Sequence, residues 1–316
     1  MPIPSTWSVQ ELRDYVALVK REGIGLDEKR WGDNPFPRFY SQDHAATWKE
    51  FVDWQDQLQG SWCFRGQGEF DWGLCTSLDR AIRREERTQY SHSIYHGNRS
   101  KESREILFRF KQQAHLYLKH LPADDDVASW IALMQHYGAP TAFLDWTESP
   151  YVGMYFAIEE GRQEEKCSAV WAVDLDWLER AGRKLLKTGE ETLAPEPRTR
   201  AERINDLLTR TVLGPEREAV TIRIEPMKSN DRIATQQGIL LCRLYHEASF
   251  GQTLMGMLFH TEIPDEPVIR KLQVEGSMRS DCIHKLRAMN IYRTSLFPGL
   301  DGFGKSLRFE LELKKL

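Results

Sequence analysis

Apolar residues fall into two rhythms along this chain: spacings of three and four, which mark helices, and compact aromatic or β-branched runs, which mark strands. Ser5-Thr6 ahead of Glu11-Leu12 and Tyr15-Val16 predicts a capped helix near the start. Residues 31–40, rich in Pro and aromatics, break the rhythm and predict a loop wrapped over the body. A helix is expected over residues 47–58, ended by Gly60. Trp62-Cys63-Phe64-Arg65-Gly66 has the aromatic content of a short buried strand, punctuated by Gly66 and Gly68. Further helices are expected over 101–120 and 127–137, the second stopped by Gly138 and Pro140, with Asp124-Asp125-Asp126 as its N-cap region. Residues 143–146 are strand-like, and Glu148-Ser149-Pro150 opens a helix running through 151–160.

Strands are then predicted at 170–175, 221–224, 238–244 and 267–272, a helix at 281–289, and a terminal strand at 307–313, where apolar and polar residues alternate. Residues 181–213 are charged and helical with a break at Pro195 and Pro197, the pattern of an insertion or surface flap. Helices and strands alternate irregularly, so the expected class is α+β rather than a doubly wound parallel sheet. The expected organisation is an extension over 1–50 and one domain over 51–316 with the insertion at about 181–215. No internal repeat or low-complexity segment interrupts it.

Composition narrows the function classes. With 41% hydrophobic and 28% charged residues the chain has a globular balance, and its net charge of -4 gives no global field for nucleic acid or membrane. A local basic groove stays open among 43 Lys and Arg. Five widely spaced cysteines without CxxC predict free thiols in a reducing compartment. The first residues lack a basic and then apolar leader, and no apolar run approaches the ~20 residues that cross a bilayer, so a cytoplasmic, non-membrane protein is expected. No HxH, HExxH or tight acidic cluster points to a metal.

Candidate chemistry gathers around Phe64-Arg65-Gly66 and residues 136–157. An Arg at a strand end grips phosphate as a fork, or pairs inside the body with Asp145 or Asp301. Asp145 serves as an acid or caps the following helix. His136 contacts a ligand or closes a helix before Gly138. Trp146, Tyr155 and Phe156 stack a ligand or fill the core. Gln236-Gln237 marks a pocket edge or an edge-strand cap, and the basic run 80–84 reads as a solvated helix face.

Four segments together resemble the FRG-domain family, named for its Phe-Arg-Gly motif. They are Trp62-Cys63-Phe64-Arg65-Gly66-Gln67; Gln135-His136-Tyr137-Gly138-Ala139-Pro140-Thr141 with Leu144-Asp145-Trp146-Thr147, Ser149-Pro150 and Tyr155-Phe156-Ala157; Arg232-Ile233 with Gln236-Gln237-Gly238; and Leu296-Phe297-Pro298 with Leu300-Asp301-Gly302. Ala142 stands where members often carry Arg, and Gly299 replaces a common acidic residue.

A more distant resemblance is to ADP-ribosyltransferases with an Arg, Ser, Glu strand pattern. It implies a split, mixed antiparallel β core with surrounding helices and NAD as cosubstrate. Arg65, Asp145, Thr147 and Gln237 would be the catalytic set, and Phe64, Arg65, Gly66, His136, Tyr137, Thr141, Trp146 and Tyr155 would line the NAD site. Gln237 stands where a Glu is expected, with Asp145 or Glu148 as substitutes. The implied function is a toxin-like enzyme of anti-phage defence or a toxin–antitoxin system. It would modify nucleic acid or protein and be held by an antitoxin or regulatory partner. Two alternatives stand beside it: a nucleic-acid-binding or nuclease module using Arg65, Lys111, Arg104 and Arg109, and a ligand-binding domain without chemistry, favoured by the missing Glu.

Overall fold

The computed structural model describes residues 40–82, 99–160, 166–186, 199–216, 218–225, 231–244, 250–261 and 264–313. The helix expected near 5–16 and nearly all of the 31–40 loop lie outside them. The chain runs β1 (Ser41–Ala45), α1 (Trp48–Asp56), β2 (Trp62–Gln67), α2 (Ser77–Ile82), α3 (Arg99–Ala114), α4 (Val127–His136), β3 (Phe143–Thr147) and α5 (Pro150–Glu160). It continues with β4 (Ser168–Asp174), α6 (Leu175–Leu185), α7 (Arg200–Arg210), β5 (Thr221–Ile224), α8 (Asp231–Thr235), β6 (Gly238–Arg243) and α9 (Phe250–His260). The last part is β7 (Ile269–Val274), α10 (Arg279–Ala288), α11 (Arg293–Leu296) and α12 (Leu300–Leu313).

The strands form one mixed sheet in the order β1-β7-β4-β2-β3-β6-β5, antiparallel except where β1 joins β7. The fold is therefore α+β, as the irregular alternation predicts. One hydrophobic cluster gathers α4, α6, α7 and α9 against the sheet, and a second gathers α1, α5 and α10 on Phe64, Val170 and Leu272. Because side chains alternate along a strand, Cys63 enters the first cluster and Phe64 the second. The sheet is thus buried on both faces, which explains why β4 (Ser168–Asp174) reads as a continuous apolar run.

Helix α5 lies unusually close to β2. A Cβ on Gly66 would fall 2.2 Å from the Gly153 carbonyl oxygen and 2.3 Å from the Ala157 nitrogen. A Cβ on Gly153 would sit 2.9 Å from the Phe64 Cβ. Backbone meets backbone here, so these positions admit almost no side chain.

Elsewhere, named polar contacts fix the layers. Arg243 and Asp79, both buried, pair at 2.5 Å, and Asp79 also accepts from the Thr76 amide at 3.1 Å, so α2 is bolted to the end of β6. Asp126 caps α4 by accepting from the Ser129 amide, as its position in the acidic run predicts. Asn205 of α7 accepts from the Ala128 amide at 2.9 Å, and Ile204 and Leu208 are buried, so this part of the 181–213 stretch packs into the body. Edge strand β1 is clasped by a two-bond fork from Arg270 to Asp43, each bond 2.9 Å.

Two departures from the sequence reading have physical causes. Residues 307–313 continue α12 instead of forming a strand. Seven alternating residues suit either period, and a helix already begun at Leu300 with Leu, Lys and Glu propagates more cheaply than an unpaired strand forms. Helix α9 shows no clean signal because Gly251 and Gly256 interrupt it, yet Phe250, Leu254 and Met257 are fully buried. Among the described residues no helix is long and apolar enough to cross a membrane.

All five cysteines are free thiols. Burial pushes Cys242 and Cys282 up to about 12 and raises Cys63 further, so none of the three forms a thiolate near neutrality.

Gly66→Ala should destabilise by about 3 kcal/mol or more because the added methyl meets backbone, whereas Gly256→Ala, with nothing within 4 Å of its added Cβ, should hold or raise the melting temperature; thermal unfolding of both variants reads the contrast. A disulfide-exchange thiol reagent at mildly alkaline pH should label only half-buried Cys75 and Cys167 in the native chain, and all five after denaturation.

Candidate functional site

The ladder between β2 and β3 holds a single register pair, Phe64 with Thr147, whereas β2 pairs with β4 along its whole length. Beyond that pair the two strands part. Arg65 fills the opening: its Nη1 donates to the main-chain carbonyl of Asp145 at 2.6 Å, at a site open to solvent. The guanidinium thus takes the place of a ladder amide. This bond ties the guanidinium to the backbone of Asp145.

The Asp145 carboxylate is exposed and accepts from the Gln135 amide at 2.7 Å. The Thr141 hydroxyl in turn donates to Gln135 Oε1 at 2.5 Å. Asp145 does not cap the next helix. Ser149 does, its hydroxyl accepting from the Val152 amide at 3.3 Å.

Thr147 is buried, and its hydroxyl is committed on both sides. It donates to the Gln236 carbonyl at 2.6 Å and accepts from the Ser149 amide at 3.0 Å. It joins β3, α5 and the turn ahead of β6. The Thr147–Gly238 pair and the Glu148 amide bond to the Gln237 carbonyl, 2.9 Å, continue this joint. Gln237 itself is exposed at φ 47, in the left-handed region. The backbone therefore brings Arg65 on β2, Thr147 on β3 and Gln237 in the turn ahead of β6 to neighbouring parts of the sheet, while the Thr147 side chain points into the body. Glu148, the other substitute acid, is exposed and ion-paired with Arg223 at 3.2 Å.

Other members of the expected NAD-lining set divide by exposure. Phe64, Trp146 and Tyr155 are core residues, each at most 4% exposed, and Thr141 is buried with them. Burial, with Glu159 beside it, pushes the Tyr155 hydroxyl well above the ordinary phenol range, so it stays protonated. Gly66 is approached by α5, not by open space. His136 ends α4 and meets Tyr137 edge-to-face at 4.8 Å, and Tyr137 is 55% exposed. Arg65, Asp145, His136, Tyr137 and Gln237 are the members with access to solvent.

The segment after β2 forms a wall on the Arg65 side. Gln67 donates to the Gly73 carbonyl at 3.0 Å and accepts from the Trp171 indole at 2.7 Å. Lys271, fully buried, donates to the Phe70 carbonyl and lies 4.3 Å from the Phe70 ring and 4.5 Å from that of Trp171. Sequence reasoning had no hold on Lys271, because a lone Lys in a strand carries no pattern.

Phe297 is a second feature that the motif contained without explaining. Its ring meets Phe156 edge-to-face at 5.9 Å and lies 4.7 Å from the guanidinium carbons of both Arg232 and Arg293. Gln236 donates to the Leu296 carbonyl at 3.0 Å, and a Cβ on Gly302 would strike the Phe297 carbonyl at 1.9 Å. The four sequence segments are thereby one connected body.

Residues 60–166 match the family model described as FRG domain. No curated protein and no solved structure matches the chain. The matched span runs from β2 to just beyond α5, so it contains both strands flanking the opening, Arg65, Gln135 and Asp145, and the Gly66–Gly153 contact. Motif order, family match and the packing that makes those motifs one body agree: the chain carries an FRG domain over residues 60–166.

Proposed function

We propose that the chain is a toxin-like, NAD-dependent ADP-ribosyltransferase acting on nucleic acid or protein, in anti-phage defence or under an antitoxin. The observation that carries the reading is the parting of β2 and β3 around a solvent-accessible guanidinium with an exposed carboxylate beside it. A split antiparallel core of the transferase type belongs to the same proposal.

Arg65 grips the pyrophosphate, where a planar fork of N–H donors matches paired phosphate oxygens. Tyr137, the exposed ring at the rim, offers a face to the nicotinamide or adenine. Breaking the glycosidic bond sends the electron pair out with nicotinamide and leaves positive charge on the ribose, which a fixed carboxylate stabilises. Asp145 is favoured over Glu148 for this task, since Arg223 already holds Glu148. The acceptor oxygen or nitrogen closes on the ribose carbon and gives its proton to Asp145. Gln237 contributes hydrogen bonding without charge.

A second reading, NAD binding without transfer, is favoured by the buried Thr147 hydroxyl and the amide at 237. The nucleic-acid module draws less support. Lys111 donates to the Asp124 carbonyl at 2.7 Å and lies 5.1 Å from the Trp130 ring, and Arg104 donates to the Leu213 carbonyl at 2.8 Å.

Calorimetry and a nicotinamide-release assay on the full chain separate the readings. Arg65→Ala should weaken NAD binding by about 30- to 100-fold, the loss of a charged hydrogen-bonded contact. Asp145→Asn should leave binding within about threefold and reduce release by about 100-fold or more. Binding without release selects the second reading, and no heat at millimolar NAD rejects both.

A further inference from the structure

We infer that Gln135 and Thr141 are positioning residues that fix the orientation of the Asp145 carboxylate, an inference that rests on the transferase reading of this site. An ionised carboxylate only accepts hydrogen bonds, so the Gln135 amide must turn its Nε2 toward Asp145, where it donates at 2.7 Å. That places Oε1 toward Thr141, whose hydroxyl then donates at 2.5 Å and keeps a lone pair for the Phe143 amide at 3.4 Å. Every bond in the series has one direction.

The far end is anchored. The Thr141 amide donates to Ser77 Oγ at 2.9 Å, Ser77 Oγ donates to the Thr141 carbonyl at 3.3 Å, and the Leu78 amide donates to the same carbonyl at 3.1 Å. Thr141 is 3% exposed, so its rotamer is set by the body. A reversed Gln135 amide would put oxygen against carboxylate and is excluded by repulsion. Arg65 meanwhile holds the Asp145 main chain through its carbonyl. Backbone and side chain of one exposed acid are thus held from two directions, an arrangement that an acid serving only solubility does not need. Fixing a reacting group within a fraction of an ångström is the usual task of such supporting bonds.

The kinetic substitutions that test this leave the charged groups in place. Thr141→Val keeps the shape and removes the hydroxyl, Gln135→Leu removes the amide, and Thr141→Ser restores a donor. In the nicotinamide-release assay Thr141→Val and Gln135→Leu should lower kcat by about 10- to 100-fold with KM for NAD within about twofold, and Thr141→Ser should recover most of the loss. Independently of NAD, nuclear magnetic resonance of the full chain should show a Gln135 side-chain amide that is shifted and slow to exchange. That signature should be lost in Thr141→Val and in Asp145→Ala.

A Gln135 amide at its free-solution position in the parent chain overturns the inference, as does a normal kcat in Thr141→Val and Gln135→Leu. A parent chain that shows the amide signature but releases no nicotinamide rejects the transferase reading and leaves the orientation of Asp145 established by the resonance alone.

Discussion

The contact on which the rest of this structure depends is the seating of α5 directly on β2. Gly66, Gly153 and Ala157 let helix backbone approach strand backbone to a distance that no larger residue permits. Alternation along β2 then assigns Phe64 and Gly66 to the helix and turns Arg65 to the opposite face. A bulkier residue at 66 would lift α5, which is tied through Ser149 to Thr147 at the end of β3 and carries Phe156 along its length. The side chain proposed to meet a ligand is therefore aimed by its silent neighbour.

Much of the motif material is occupied with holding the body together. Thr147 ties three elements with one hydroxyl, Gln236 holds the Leu296 carbonyl, and Phe297 gathers Phe156, Arg232 and Arg293 around its ring. Arg65 itself straddles the two roles, bonded to a carbonyl that the diverging strand leaves behind and yet open to solvent. In this chain the signature residues thus describe a way of packing more fully than they describe a chemistry.

Elements with strong local signals were legible in the sequence. The apolar run of β4, the capped and Gly-stopped α4 and the Pro-started α5 stand where pattern and punctuation place them. What stayed hidden was set by distant partners. Strand β1, Ser-Gln-Asp-His-Ala, carries no apolar alternation and is a strand because β7 and the Arg270 fork hold it. At the site, Phe64-Arg65-Gly66 and Asp145 were visible as residue types. The burial of Thr147 and Trp146 depends on which face each strand presents, and the link from Gln135 to Asp145 joins a helix end to a strand. Neither follows from spacing along the chain.

The left-handed backbone at Gln237 has an implication for how this corner can vary. That conformation excludes β-branched side chains and admits unbranched ones at modest strain, irrespective of whether the tip is an amide or an acid. Exchange between Gln and Glu there changes neither shape nor backbone preference, and the side chain faces water, so the fold is indifferent to it. Charge at this exposed turn can accordingly be gained or lost in a single step without disturbing the architecture, so position 237 is free to tune the local electrostatics while the backbone around it stays the same.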